Sequence, residues 1–162
     1  MAMKRFPLEK YATLELNHVE FARTGNLIAQ TPLGEEFTAE APCENGMWVC
    51  ADRSKGVVAS IEDVNEPIGV VYTAEKEYDM YHYGLKYFGR KVAGDYPRVG
   101  ILEKGDTMTS NCLQYDDGEF ASEEALFEAL AAWKDAPVYV VPVVGSAVPK
   151  LTATKPAEGT FG

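Results

Sequence analysis

The sequence holds few of the residues on which catalysis, metal binding and disulfide scaffolds depend. Among its 162 residues are only two histidines and three cysteines, Cys43, Cys50 and Cys112. An odd number of cysteines, in a chain whose first residues lack the apolar stretch of a signal peptide, argues against a disulfide framework. We expect three small buried side chains in a protein that never crosses a membrane; a Cys43–Cys50 bridge across a hairpin remains an alternative.

Basic residues are scarce as well. The sequence has 15 Lys and Arg against 25 Asp and Glu, which gives a formal net charge of −10. A nucleic-acid binder needs a basic stripe to neutralise phosphates, and docking on an anionic membrane surface needs basic side chains too. No apolar run approaches the ~20 residues that span a bilayer. We therefore predict that neither nucleic acid nor a membrane is a partner.

The motifs of common enzyme classes are missing. There is no Gly-x-Ser-x-Gly elbow, no phosphate-binding loop ending in Gly-Lys-Ser/Thr and no dinucleotide-binding fingerprint. His18-Val19-Glu20 followed by Pro42-Cys43 imitates a zinc deaminase signature, but that signature requires a second cysteine at position 46, where Gly46 stands. We predict no catalytic residues, no metal and no cofactor; a pair of Asp or Glu side chains is the enzymatic alternative that abundance alone leaves open.

What the sequence does contain is a series of short β-prone runs separated by turn residues. The clearest part of the series begins after Asn45-Gly46, which is a hairpin or strand-entry signal. The series predicts a mainly β fold, a small barrel or a sandwich-like meander. Pro142 cannot donate to a strand ladder, so the last run is predicted to be an edge strand or to bend there. The runs are residues 12–21, 26–30, 47–51, 57–61, 68–72, 99–102, 107–115 and 138–144.

One packed helix is predicted near residues 122–134. Ser122 is a good N-cap, and Glu123 and Glu124 fall in the first turn, where the helix dipole favours anions. Pro137 prevents the helix from continuing. Apolar side chains recur at helical spacing along one face: Leu126, Ala129, Leu130 and Trp133.

The 46% hydrophobic and 11% aromatic content suits one folded domain, with or without an extended arm. We predict an extended N-terminal arm or first strands over residues 1–40, a β-rich domain over 41–149 and an irregular C-terminal tail over 150–162. Tyrosines are frequent between residues 73 and 97, where glycines interrupt them, and we expect a long loop or irregular hairpin there. Such side chains favour interfaces or cover a small core, and the interface candidates are Tyr81, Tyr83 and Tyr87.

Residues 41–75 resemble the core pattern of the head decoration (capsid cement) proteins of tailed bacteriophages. The resemblance is one of residue classes: a glycine, an apolar strand, a polar turn, a second strand, an acidic loop and an Ile/Val-Gly-Val strand. It is carried by Ala41-Pro42, Gly46-Met47-Trp48-Val49, Asp52 to Val58 and Pro67-Ile68-Gly69-Val70-Val71, with a further similarity from Gly100-Ile101-Leu102 through Gly105-Asp106-Thr107.

The resemblance implies a non-enzymatic structural protein of the virion. Made in the host cytoplasm, such a protein binds the major capsid protein on the outer capsid surface, often as a trimer, and stabilises contacts between capsid subunits. An extended arm could add a strand to a capsid sheet, and an ordinary edge strand of the protein's own fold is the equal alternative. The arm candidates within residues 3–16 are Lys4, Arg5, Phe6, Leu8, Lys10 and Tyr11.

Two other classes of protein fit the sequence. A phage tail-tube or head–tail joining protein is also β-rich with a helix, and would form rings or tubes. A host-surface or carbohydrate-binding module would use Trp48 and the tyrosines as stacking platforms.

Overall fold

The computed structural model describes residues 3–5, 14, 19–22, 27–28, 31–52, 56–64, 66–73 and 91–157. The chain is mainly β with one helix in this part, which confirms the predicted fold class. The helix is Glu123–Ala131 (α1). The strands are Met3–Arg5 (β1), Val19–Glu20 (β2), Leu27–Ile28 (β3), Trp48–Asp52 (β4), Val57–Ala59 (β5), Ile68–Val71 (β6), Val99–Ile101 (β7), Thr107–Met108 (β8), Gln114–Asp116 (β9), Tyr139–Val141 (β10) and Lys150–Thr152 (β11).

The larger sheet has five antiparallel strands in the order β3-β7-β6-β4-β5. Its β4, β5 and β6 are the strand series predicted after Asn45-Gly46. All four residues of β6 are buried, so apolar side chains cover both faces of the sheet at that strand. Burial on both faces explains why these strands read as continuous apolar runs rather than as alternating patterns. Two core clusters form here, one around Val49, Val58 and Val71 and the other around Ile68 and Val70.

A second sheet has four strands in the order β1-β9-β11-β10. The β1–β9 and β10–β11 pairs are antiparallel, whereas β9 and β11 run parallel. Strand β10 is at the end of this sheet and stops directly before Pro142, as the missing backbone donor of proline predicts. A short antiparallel pair, β2 with β8, accompanies the two sheets.

Helix α1 confirms the prediction for residues 122–134, with one exception. The Ser122 hydroxyl accepts a hydrogen bond from the Ala125 N–H at 3.3 Å, and Leu126 is fully buried among Tyr115 and the other members of a third core cluster. The exception is Trp133, which is 60% exposed. The helix ends at Ala131, so Trp133 follows the last turn and does not continue the apolar face.

The predicted irregular tail begins with a strand instead. Lys150–Thr152 pairs with both β10 and β9, although the tail over residues 150–162 shows no apolar periodicity. Glu119 holds the end of this strand: its Oε1 accepts from the Thr152 hydroxyl at 2.7 Å and from the Ala153 N–H, and its Oε2 lies 3.7 Å from Lys150 Nζ. Tertiary pairing, which a local pattern does not reveal, produces the strand.

Gly46 occupies a crowded position with a positive φ. Its φ is +91°, its N–H donates to the Val71 carbonyl at 2.8 Å, and a Cβ there would lie 2.4 Å from Ser110 Oγ and 2.9 Å from Cys112 Cβ. We expect Gly46→Ala to lower the free energy of unfolding by about 1–2 kcal/mol for the backbone and by about 1–3 kcal/mol more for the overlap. Urea unfolding followed by circular dichroism measures this.

Gly94→Ala is the matched control, because Gly94 has a similar φ of +84° with nothing within 4 Å of its added Cβ. It should show the backbone cost alone. Equal losses in the two variants would contradict the packing described at Gly46.

The contacts of Glu119 predict a pH dependence. Partial burial raises its pKa, but the hydrogen bonds from Thr152 and the Ala153 N–H, together with the Lys150 charge, outweigh it and hold the pKa below the usual 4.5. A depressed folded-state pKa stabilises the protein above 4.5, and that contribution is lost as the pH falls through the lower value. Glu119→Gln should therefore flatten the loss of melting temperature below pH 4.5. If the melting temperature of Glu119→Gln fell below pH 4.5 as steeply as that of the unmodified protein, the result would contradict this role.

Candidate interaction surfaces

Strand β1 is attached to the four-stranded sheet by backbone pairing and by charge. Met3, Lys4 and Arg5 lie opposite Asp116, Tyr115 and Gln114 of β9, and all three β1 residues are exposed. The strand therefore contributes no apolar side chain to a core. Outside the ladder, it is anchored by two ion pairs of very different burial.

The outer ion pair joins Lys4 to Asp117. The Lys4 Nζ lies 3.1 Å from Asp117 Oδ1, and about half of the lysine side chain is exposed. The hydrogen bond to Asp117 and its negative charge raise the pKa of Lys4 above the ordinary value. Asp117 belongs to the tight turn that follows β9, where the Gly118 N–H donates to Asp116 Oδ1 at 2.9 Å, as the Asp-Asp-Gly-Glu sequence predicts.

The inner ion pair joins Arg5 to Glu44. The Glu44 side chain is only 4% exposed, whereas that of Arg5 is 39% exposed. Glu44 is held in the buried turn before β4, where its carbonyl accepts from the Met47 N–H at 3.2 Å. A carboxylate removed from water needs a charged or hydrogen-bonding partner, and Arg5 supplies one from a different sheet.

Beside Arg5 lies an open cleft of about 540 Å³. Its described lining is rich in carboxylates, and one of them is fixed, because Glu36 Oε1 accepts from the Ser60 N–H at 2.9 Å. The Ser146 hydroxyl accepts from the Val148 N–H at 3.1 Å, which is a local turn contact. Among these lining residues no nucleophile is hydrogen-bonded to a histidine or other base, and the lining combines acidic side chains with apolar ones such as Phe37 and Met47. The charged members are Arg5, Glu36, Glu40 and Glu44.

In the four-stranded sheet, the end opposite β1 is strand β10, which is an uncharged edge. Tyr139, Val140 and Val141 of β10 are all half-buried, and Pro142 closes the strand. Most exposed edges in natural proteins carry charged side chains that discourage pairing with another chain. Among the described residues, β10 instead leaves its outer backbone groups without a strand partner and without a charge to protect them.

Exposed apolar side chains are scattered around the described surface. Trp133, at 60% exposure, has the Lys134 Nζ 5.8 Å from its ring centre. Trp48 is only 7% exposed, in the core cluster with Ile68 and Val70, so the predicted stacking platform at Trp48 is wrong. The other large exposed groups are Met3, Tyr96, Phe127 and Val144.

The sequence-predicted contact residues divide into two groups. Lys4 and Arg5 pair with acidic residues of their own chain, and residues 3–5 form an edge strand of the protein's own fold, the alternative to a free arm. The remaining candidates lie outside the described residues: Phe6, Leu8, Lys10, Tyr11, Tyr81, Tyr83 and Tyr87. Glu44 was not predicted, because a glutamate before an Asn-Gly turn has no sequence signal that marks it as buried.

The three cysteines are buried and none forms a disulfide, so the Cys43–Cys50 bridge is absent. Burial raises the pKa of Cys112 to about 12, with the Arg5 charge opposing the rise, and burial also raises the pKa of Cys43. Because a raised pKa keeps these thiols protonated, they are poor nucleophiles. In the part of the chain that the structure describes, no cluster of three or more His, Cys, Asp or Glu side chains is arranged to hold a metal ion. No described helix has the length and hydropathy to cross a membrane.

Comparison with known proteins gives no relative. The chain matches no protein-family model, no curated protein and no solved structure.

The inner ion pair predicts a measurable asymmetry between the two basic residues of β1. Arg5→Gln leaves the Glu44 carboxylate buried without its cation, so the free energy of unfolding should fall by about 1–3 kcal/mol. The neighbouring change Lys4→Gln removes a solvent-exposed partner and should have a much smaller effect. Chemical denaturation of both variants measures the difference.

The double variant Arg5→Gln/Glu44→Gln tests the cause. It should recover part of the stability that Arg5→Gln loses, because no buried charge is left unpaired. A double variant less stable than Arg5→Gln alone would contradict the pairing.

Proposed function

We propose that the protein is a non-enzymatic structural protein of a phage virion that binds the outer capsid surface and stabilises contacts between capsid subunits. The observation that supports this best is the four-stranded sheet, whose end strands β1 and β10 each have one side without a partner strand among the described residues. An open edge accepts an extended segment of another chain through backbone hydrogen bonds, and side-chain pockets give selectivity. Two such edges on one sheet let one molecule bridge two neighbours.

The β10 edge is the better suited of the two to a capsid segment. Its three residues carry no charge and are half-buried, so a paired strand would cover apolar surface already partly shielded from water. On a shell with many identical sites, weak contacts of this size add up through multivalency. Edge pairing at β10 therefore provides a physical means for a small protein to clamp adjacent subunits.

Charge and sequence support the same proposal. The net charge of −10 is unfavourable next to packaged DNA, which favours the outer side of the shell. The segment that resembles decoration proteins contributes β4, β5 and β6, the centre and one end of the five-stranded sheet. It therefore serves as the scaffold, and the candidate contacts lie on the other sheet.

The test is to mix the purified protein with expanded capsids of its phage that lack it. We expect added density on the capsid exterior by cryo-electron microscopy and a higher capsid melting temperature. Tyr139→Lys places a charge on the β10 edge and should abolish both effects. Tyr96→Lys makes the same substitution at a residue that is 62% exposed and outside any strand, and should retain them.

Each variant's own melting temperature is measured first, so that an unfolded Tyr139→Lys chain is not mistaken for a loss of binding. Absence of exterior density with the unmodified protein would refute the proposal. Rings or tubes formed by the isolated protein in negative stain would favour the tail-tube or joining role instead.

A further inference from the structure

Strand β1 is held by contacts that any copy of this chain could offer. Its three side chains are exposed, and Met3, the only apolar one, is 43% exposed. Among the described residues, β1 is bound by a three-residue ladder on β9, by the Asp117 and Glu44 carboxylates and by a hydrogen bond between the Arg5 side chain and Cys112. Since β1 buries no apolar side chain, its opening costs mainly the ladder and the pairing of Arg5 with Glu44, and a second copy restores both.

The surface that receives β1 is more firmly built than β1 itself. Tyr115 of β9 is 2% exposed in the core cluster with Leu126, and β9 stays paired with β11 on its other side. Glu44 is fixed in a buried turn. When β1 leaves, the receiving surface therefore keeps a strand edge and two carboxylates, one of them buried. That surface is complementary to an extended segment with adjacent cationic side chains, and the Lys4-Arg5 pair supplies them in register.

Nine residue steps separate Arg5 of β1 from the core residue Leu14. Leu14, the next described residue, is 1% exposed, and an added Cβ on Gly46, two residues beyond Glu44, would lie 3.5 Å from Leu14 Cβ. Arg5 and Leu14 therefore both lie close to the Glu44 turn. The nine residue steps between them can span roughly 30 Å. A tether with that reach lets β1 dock either on its own chain or on a neighbouring copy.

From these observations we infer that β1 exchanges between copies, so that β9, Glu44 and Asp117 of one molecule bind the Met3–Arg5 strand of a second copy. The two arrangements make the same ladder and the same ion pairs, so their relative populations depend on protein concentration against the effective concentration of the tethered strand. The surface is thus a self-association site.

Disulfide trapping tests the exchange directly. Met3 and Asp116 are register partners, and directly opposed Cα atoms in an antiparallel ladder lie ~4.5–5.5 Å apart, within the range a disulfide bridges. A Met3→Cys chain and a differently tagged Asp116→Cys chain are mixed at about 1 mM, comparable to the effective concentration of a short tether, and mildly oxidised. The three native thiols are buried and should not compete.

We expect tag-to-tag dimers at a yield roughly ten-fold above a control mixture in which Lys104→Cys, an exposed turn residue, replaces Asp116→Cys. Adding Glu44→Gln to the Asp116→Cys chain should lower the yield several-fold, because it removes the carboxylate that pairs with Arg5 of the Met3→Cys chain. Peptide mapping verifies that the disulfide joins the two introduced cysteines.

Yields no higher than in the Lys104→Cys mixture would overturn the inference, whether or not a chain carrying both Met3→Cys and Asp116→Cys closes the link internally. A yield unaffected by Glu44→Gln would overturn the role assigned to Glu44. The experiment uses the protein alone, so its result is independent of the capsid role.

Discussion

The structure depends on a buried polar turn, residues 43–47, that must satisfy its own hydrogen-bonding groups because water does not reach them. Several of these groups find their partners on other parts of the fold. The Cys43 N–H and carbonyl bond to Lys91, and the Asn45 side chain bonds to both backbone groups of Thr73. Glu44 takes its cation from Arg5 of β1. The cost of leaving any of these groups unpaired is what holds the connections in place.

The same requirement explains why the two sheets meet where they do. Gly46 donates to β6 and allows Ser110 and Cys112 to approach, which brings the chain entering β9 against the start of β4. The Trp48 N–H makes a second connection by donating to the Ala147 carbonyl at 2.7 Å. Ala147 lies on the loop between β10 and β11. The turn therefore joins the five-stranded sheet to the chain entering β9 and to the loop between β10 and β11, beside apolar packing that Cys112, Ala147 and Val140 of β10 share with that sheet.

The difference between local signals and contacts with distant residues determines which elements the sequence could predict. Strands β4 to β6 and helix α1 were predicted because their signals are local: apolar runs between turn residues, and an N-cap followed by helical spacing. Strand β11 and the β1–β9 pairing were not, because Lys150–Thr152 and Met3–Arg5 are too short to give a pattern and are ordered by distant partners. Glu44 shows the limit most clearly, since a buried glutamate is recognisable only once Arg5 is brought to it.

The two ends of the four-stranded sheet then differ in a way that suits different partners. At β1 the affinity is electrostatic and directional, so the surface beneath it discriminates by charge and register and favours the one strand whose cations match its carboxylates. At β10 the edge is uncharged and half-buried, so it discriminates little beyond shape and backbone pairing. The proposed pairing with a second copy at one end and with a capsid strand at the other would need this asymmetry. Two identical edges would pair with each other, and open-ended growth would compete with binding to a partner.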